Sequence, residues 1–281
     1  MTEGLDRFAR FVFADEAGNA IEVDQSFDYS FRVDKSSSRD PDTAEVSIFN
    51  LTGTNRAVLA TDATTVEVYA GRTAPPKLVF KGEIVDTVSS RTEDMADWDT
   101  KITAEDTKSA LRTRIVARTF AAGASLHQAI RDLAAAGGVQ VDIGVSELKL
   151  PSAMSFLAPP RDALWEICKR FGFRYQIIVG RVFVRSEDDP ITETAIPLVS
   201  AITGLKGVPT ADKESGRVKV SFRTMLDAAL VPGGLCMLET STTTGGRKAP
   251  IKAKATYWIE RVVHTADASG DFTTECVCRE A

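Results

Sequence analysis

Hydrophobic and polar residues alternate along the first third of the chain. The apolar members of one such run are Phe27, Tyr29, Phe31 and Val33. A stretch rich in serine, aspartate and proline follows at 36–42, and the alternation then resumes with Ala44, Val46 and Ile48. A period of two predicts antiparallel strands with one buried face, separated by a turn.

The same pattern predicts a longer strand further along. Val66 and Val68 mark the strand before it, and Trp98, Ile102 and Ala104 mark the strand after it. The positions that we expect on one face of the long strand are Leu78, Phe80, Ile84 and Val88. Gly82 interrupts that face, which is typical of a bulge or a sharp bend.

The middle third changes to a helical period. Ser125, followed three residues later by Gln128, forms a capping-box pattern before an apolar helical face that ends at Gly137-Gly138. A second helix is predicted after Pro159-Pro160 and ends at Gly172. The residues from 175 to 185 then predict a hairpin that turns at Gly180-Arg181.

Strands return in the last third. An acidic stretch at 187–190 predicts a linker, and residues 240–248 predict a loop of low complexity. Alternating residues then predict strands, with Val218, Val220 and Phe222 on one face and Tyr257, Ile259 and Val263 on another. The chain is predicted to end in a strand from Phe272 to Cys278. The fold class is therefore mainly β (α+β), and many short strands favour a barrel or a sandwich.

The composition of the chain disfavours some classes of function. The chain has 281 residues, 43% of them hydrophobic, and a formal net charge of -5. A dedicated nucleic-acid binder usually carries a basic surplus, which this sequence lacks. The sequence has no signal-peptide pattern at its start, no stretch of membrane-spanning length and only four cysteines. We therefore expect folding in a reducing cytosol and no membrane anchoring.

The candidate metal ligands are His264, Cys276 and Cys278. The two cysteines share one strand face because they are two residues apart, and His264 lies across a turn from them. A histidine and two cysteines on paired strands could approach the geometry of a zinc site. Structural zinc sites more often carry cysteine pairs on a turn, so we favour two core thiols and an unrelated histidine. We expect no metal and no cofactor, and the metal site stays open as an alternative.

Catalytic motifs are missing from the sequence. It contains no Gly-x-Ser-x-Gly elbow, and its cysteines do not stand in a context typical of a nucleophile. Gly245-Gly246-Arg247-Lys248 lacks the spacing of a phosphate-binding P-loop. A glycosidase needs two carboxylates placed by the fold, which a sequence alone does not exclude. From the missing motifs we predict that the protein is not an enzyme.

Several short segments stand in a recognisable order along the chain. In the front half they are 44–51 and 80–84, and in the last third they are 203–209, 216–220, 225–233, 257–264 and 270–272. This ordered series resembles a known family, the central baseplate hub proteins of long-tailed bacteriophages. The series covers nearly the whole chain. The sequence departs from the family pattern at Ala266, where the family often has glycine, and this concerns only the turn type.

The resemblance implies two antiparallel β-barrels like those of the tail tube, with a small α+β insertion between them. The corresponding domains are 1–110, 111–190 and 191–281. Three chains would form a ring that adapts the sixfold tail tube to the threefold spike. The implied partners are a second and third copy of the chain, the tail tube or distal tail protein, the tail spike and the tape measure protein. DNA would pass through the channel without specific binding, and an acidic channel wall is a hypothesis consistent with the net charge.

The resemblance also implies a place in the virion, at the tail baseplate, after assembly in the host cytoplasm. Two alternatives stay open. One is the hub of a tailocin or another contractile injection system, and the other, from a different class, is a tail-associated cell-wall hydrolase.

Overall fold

The computed structural model describes residues 7–37, 40–61, 64–91, 97–106, 109–178, 180–186, 189–191, 195–214, 217–241 and 251–281. The sequence-based predictions for Val179, for Glu187 and Asp188 of the linker, and for residues 242–248 of the low-complexity loop lie outside these residues.

Strands dominate the described residues. The strands of the first part are β1 (Phe8–Ala14), β2 (Ala20–Asp24), β3 (Tyr29–Ser36), β4 (Thr43–Phe49), β5 (Thr65–Gly71), β6 (Lys77–Arg91) and β7 (Trp98–Glu105). Those of the middle part are β8 (Val116–Phe120), β9 (Gln140–Ile143), β10 (Met154–Ala158), β11 (Phe173–Ile178) and β12 (Arg181–Ser186). The last part contains β13 (Leu198–Val199), β14 (Leu205–Glu214), β15 (Arg217–Met225), β16 (Leu235–Glu239), β17 (Lys254–Asp267) and β18 (Phe272–Glu280).

The described helices are short. They are α1 (Gly53–Thr61), α2 (Ser109–Thr113), α3 (Leu126–Ala136) and α4 (Pro160–Arg170). Helix α3 begins as the sequence predicts, because the Ser125 side chain accepts a hydrogen bond from the Gln128 N–H. The Gln128 side chain does not complete the capping box but donates to Asp132 one turn later. No helix in the described part of the chain has the length and apolar character needed to cross a membrane.

One large sheet joins the first and last parts of the chain. Its strand order is β14-β15-β18-β17-β3-β4-β7-β6-β5-β1-β2, and β16 with β13 extends from β17. Strand β17 is the junction, since Lys254–Trp258 pairs with β16 and Arg261–Asp267 pairs with β3. A mainly β, antiparallel fold with a small α+β part is thus confirmed. The pairing among the described residues closes no barrel, so the two predicted barrels stay a prediction.

Three clusters of buried apolar side chains lie among the described residues. The first lies among β1–β7 and also takes in Leu226, Ala266 and Phe272 from the last part of the chain. The second packs α3 and α4 against β8 to β12, and the third lies among β13 to β18. Because the last part contributes to the first cluster, the two β regions share packing as well as a sheet. The division into three domains stays a prediction.

Two predicted strand faces are wrong because each strand contains a bulge. In β6, Val85 has no partner between Ile84 and Asp86, and Val88 beyond it is 52% exposed. In β17, Glu260 is the extra residue, so Val262 joins the third cluster and Val263 lies on the other face. An inserted residue reverses the side of every residue that follows it.

Gly82 lies between two bulges of β6 rather than at one. The other bulge is at Val79, which has no partner on β5. A Cβ at Gly82 would stand 2.2 Å from the backbone carbonyl oxygen of Glu105. The glycine is therefore required for the close approach of β6 to β7.

Candidate functional site

The candidate metal ligand His264 does not stand directly opposite either Cys276 or Cys278 in the β17–β18 pair. His264 stands opposite Thr274, whereas Cys276 stands opposite Val262 and Cys278 opposite Ile259. The Nδ1 atom of His264 lies 2.9 Å from the Thr274 Oγ1 atom. In the described part of the chain, no group of three or more histidine, cysteine, aspartate or glutamate side chains could hold a metal ion.

Burial keeps His264 neutral. The side chain is completely enclosed, and this desolvation, together with the nearby charge of Lys35, holds the pKa of His264 well below its ordinary value. Its Nε2 atom is buried without a hydrogen-bond partner. A neutral ring at the boundary between the first and third clusters fits a packing role better than proton transfer.

A buried charged group lies beside His264, and sequence reasoning missed it. Lys35, Asp42 and Asp106, which we call the buried triad, are each less than a tenth exposed. The Asp106 N–H donates to the Asp42 carbonyl oxygen at 3.0 Å, and the Asp42 N–H donates to Asp106 Oδ1 at 3.2 Å. The Asp42 carboxylate also accepts the Ser36 N–H at 2.9 Å. The triad thus ties the end of β3 to the start of β4 and the end of β7.

The electrostatics of the triad follow from burial. Desolvation, reinforced by the charge of Asp106, raises the pKa of Asp42 to about 8. Desolvation also lowers the pKa of Lys35, against the attraction of the two carboxylates. A sequence signal existed, because Lys35 continues the inward series Tyr29, Phe31 and Val33 of β3. A charge at an inward position indicates a buried partner.

The triad offers little room for chemistry. The cavity beside it has a volume of about 10 Å³, and its lining also includes Phe80, Gln176 and Pro232. That is about the space of one water molecule. A raised carboxyl pKa is a common feature of catalytic acids, but a substrate does not fit at this position.

An exposed apolar segment adjoins one end of the large sheet. The outer strand is β14, and the exposed side chains in and before it are Ile196 (45%), Leu198 (42%), Ile202 (98%) and Val208 (58%). Val208 projects from a bulge between Lys206 and Thr210, where Gly207 adopts a φ of 70°. We call 196–208 the edge segment. Exposed apolar residues beside an unpaired strand edge are typical of a surface that contacts another protein.

Solved structures of similar fold include two tail proteins. The 43 kDa tail protein of prophage MuSo2 from Shewanella oneidensis matches 96% of this chain and 97% of its own, with TM-score 0.67 and 9% identity. A tail protein from Neisseria meningitidis MC58 matches 97% and 96%, with TM-score 0.67 and 11% identity. At such identities the likeness concerns the fold, and it extends over nearly the whole of each chain.

A third structure comes from a secretion system. It is an E. coli component of the type VI secretion system, described as structurally similar to the T4 bacteriophage tail proteins gp27 and gp5. It matches 90% of this chain and 73% of its own, with TM-score 0.61 and 12% identity. No protein-family model matches the sequence, and no curated protein matches it. The chain therefore has the fold of tail proteins from phages and related machines.

Proposed function

We propose that this chain is a structural component of a phage tail and acts as the central hub of its baseplate. The observation that carries the proposal is the fold match to two tail proteins over nearly the full length of each chain. In this role three copies form a ring in which each chain contributes two tube-like β-barrels. Such a ring adapts a sixfold tube to a threefold spike.

The edge segment supports contacts between copies or with the tube. Among the described residues, strands β14 and β2 are the two ends of the sheet path, so each has one edge without a strand partner there. Ile202 is 98% exposed and Val208 58%, and both lie near the β14 edge. In a ring these side chains become buried and the edge is covered, which removes the aggregation hazard of an open strand.

The partners in this proposal are the tail tube or distal tail protein, the tail spike and the tape measure protein. The channel lets the tape measure protein and then DNA pass without specific binding. An acidic channel wall resists adsorption of DNA, because adsorption depends on neutralising phosphates with basic side chains. A ring structure with a net basic inner wall contradicts this part of the proposal.

The hub of a tailocin or contractile injection system is a second candidate in the same structural class. The fold match to the type VI secretion component favours keeping it. The genes beside the coding sequence distinguish the two, since a phage cluster includes capsid genes and an injection device does not.

The functional test is deletion of the gene and examination of the particles. We expect particles without complete tail tips, and recovery when the chain is supplied in trans.

The purified chain should not degrade peptidoglycan, and turnover of that polymer would instead support the hydrolase alternative. Elemental analysis of the purified chain should find no stoichiometric zinc or iron, and one equivalent of either would support a site at His264, Cys276 and Cys278.

A further inference from the structure

The small cavity beside the buried triad lies where all three parts of the chain meet. The triad and Phe80 line it from the first part, Gln176 of β11 lines it from the middle part, and Val231 and Pro232 line it from the last part. Its volume of about 10 Å³ is close to the least that holds one water molecule. Any molecule bound there would contact the three parts together.

Strand register places the three charged side chains of the triad in one row. Asp34 of β3 stands opposite Thr43 of β4, and Thr43 stands opposite Glu105 of β7. The next position along each of the three strands is a member of the triad. Side chains in such a row lie on the same side of the sheet and close to their neighbours. All three also line the cavity, so its wall on this side carries an ammonium group and two carboxyl groups.

The opposite wall carries a buried amide that lacks a partner. Gln176 is only 4% exposed, and both its Oε1 and its Nε2 atom are buried without a hydrogen bond. Its neighbours Tyr175 and Ile177 pack into the second cluster, so the Gln176 side chain leaves the other face of β11 and lines the cavity. Buried amides in folded proteins are normally satisfied, either directly or through an ordered water molecule.

We propose that the cavity binds one water molecule, which joins the Gln176 amide to the buried triad. A water molecule donates two hydrogen bonds and accepts two, so it can serve both an amide and charged groups of either sign. It accepts from the Lys35 ammonium or the Gln176 Nε2–H, and it donates to the Gln176 Oε1 atom or to a carboxyl oxygen. The bridge would tie β11 to the ends of β3 and β7.

The chemistry of the cavity favours water over a metal cation. Lys35 already supplies a positive charge, which repels a second one at this distance. Desolvation also raises the pKa of Asp42 to about 8, so this carboxyl group carries little negative charge at neutral pH. The inference does not depend on the proposed function, because it concerns the interior of a single chain.

The direct test is a crystal structure at a resolution that shows ordered water, with a second crystal soaked in rubidium chloride. We expect one density peak within about 3.2 Å of a Gln176 amide atom and of at least one triad side chain, and no anomalous signal from rubidium at that position. The proposal is overturned if no peak is found there, if rubidium occupies the position, or if the Gln176 amide bonds directly to the triad.

A second test uses the sign of a change in stability. Gln176→Met keeps a similar volume but removes the amide, so the water molecule loses a partner and the urea midpoint of unfolding should fall. The control is Tyr175→Phe, because the Tyr175 hydroxyl is also buried without a hydrogen bond but does not line this cavity. That variant should unfold at or above the wild-type midpoint. If Gln176→Met does the same, the amide has no bridging water and the proposal fails.

Discussion

His264 of β17 stands directly opposite Thr274 of β18, and the His264 Nδ1 atom lies 2.9 Å from the Thr274 hydroxyl oxygen. That hydroxyl oxygen also accepts the Asp227 N–H at 3.0 Å. The histidine thus belongs to a chain of polar contacts that joins β17, β18 and the segment after β15. Its role in this fold is structural.

The burial of His264 predicts a dependence of stability on pH. Its pKa is lowered in the folded protein, so the unfolded state takes up a proton near pH 6.5 while the folded state does not. The contribution of the neutral His264 ring to the free energy of unfolding is therefore complete above that pH, and it is lost as the pH falls below it. Below pH 6.5, the free energy of unfolding of wild type should fall relative to His264→Gln by about 1.4 kcal/mol per pH unit.

Urea unfolding of both proteins between pH 5 and pH 8 measures this difference. Using the difference removes the contributions of groups common to both, including Asp42 of the buried triad. Parallel stability curves for the two proteins over the whole range would contradict a buried neutral histidine.

Removal of the buried lysine should destabilise the fold strongly. Lys35→Met leaves the carboxyl groups of Asp42 and Asp106 buried without their cation, and we expect a loss of about 3 kcal/mol in the free energy of unfolding. The control is Lys101→Met, which removes an ion pair with Glu45 in which both side chains are about half exposed. That variant should lose less than about 1 kcal/mol. Equal losses in denaturant titrations would mean that the buried triad stabilises the fold no more than an exposed ion pair does.

Gly82 should not tolerate a side chain. In Gly82→Ala the methyl group collides with the backbone carbonyl of Glu105, which cannot move without displacing β7. We expect a loss of at least about 3 kcal/mol or insoluble protein. The matched control is Gly53→Ala at the start of α1, where the nearest atom is the Arg56 guanidinium at 3.9 Å. The control should unfold within about 1 kcal/mol of wild type, and a tolerated Gly82→Ala would rule out the close approach of β6 and β7.

The sequence predicts those elements whose burial is one-sided and uninterrupted. The alternation Tyr29, Phe31 and Val33 fixes the buried face of β3, and the Ser125 cap and Gly137 locate the ends of α3 correctly. Val88 and Val263 were misplaced because one extra residue in a bulge leaves no mark in a pattern of residue types. The formation of the buried triad depends on strand register, which the alternation does not contain.

The edge segment should matter for assembly but not for folding. Ile202 is 98% exposed, so Ile202→Asp should leave the unfolding midpoint of the isolated chain unchanged within error. If the β14 edge contacts a neighbouring tail protein, the carboxylate that Ile202→Asp introduces must lose its water on assembly. Fewer variant than wild-type chains should therefore be recovered in purified particles. The comparison is Leu157→Asp on β10, where the wild-type side chain is 79% exposed and lies away from this edge. Equal incorporation of both variants would remove the edge segment from the proposed contact surface.

The most direct test of the hub proposal is a reconstruction by electron cryomicroscopy of the tail tip from particles that contain this chain. We predict three copies around the tail axis, each with two tube-like barrels between the tube and the spike. Six copies stacked as an ordinary tube ring, or a chain located away from the axis, would contradict the proposal.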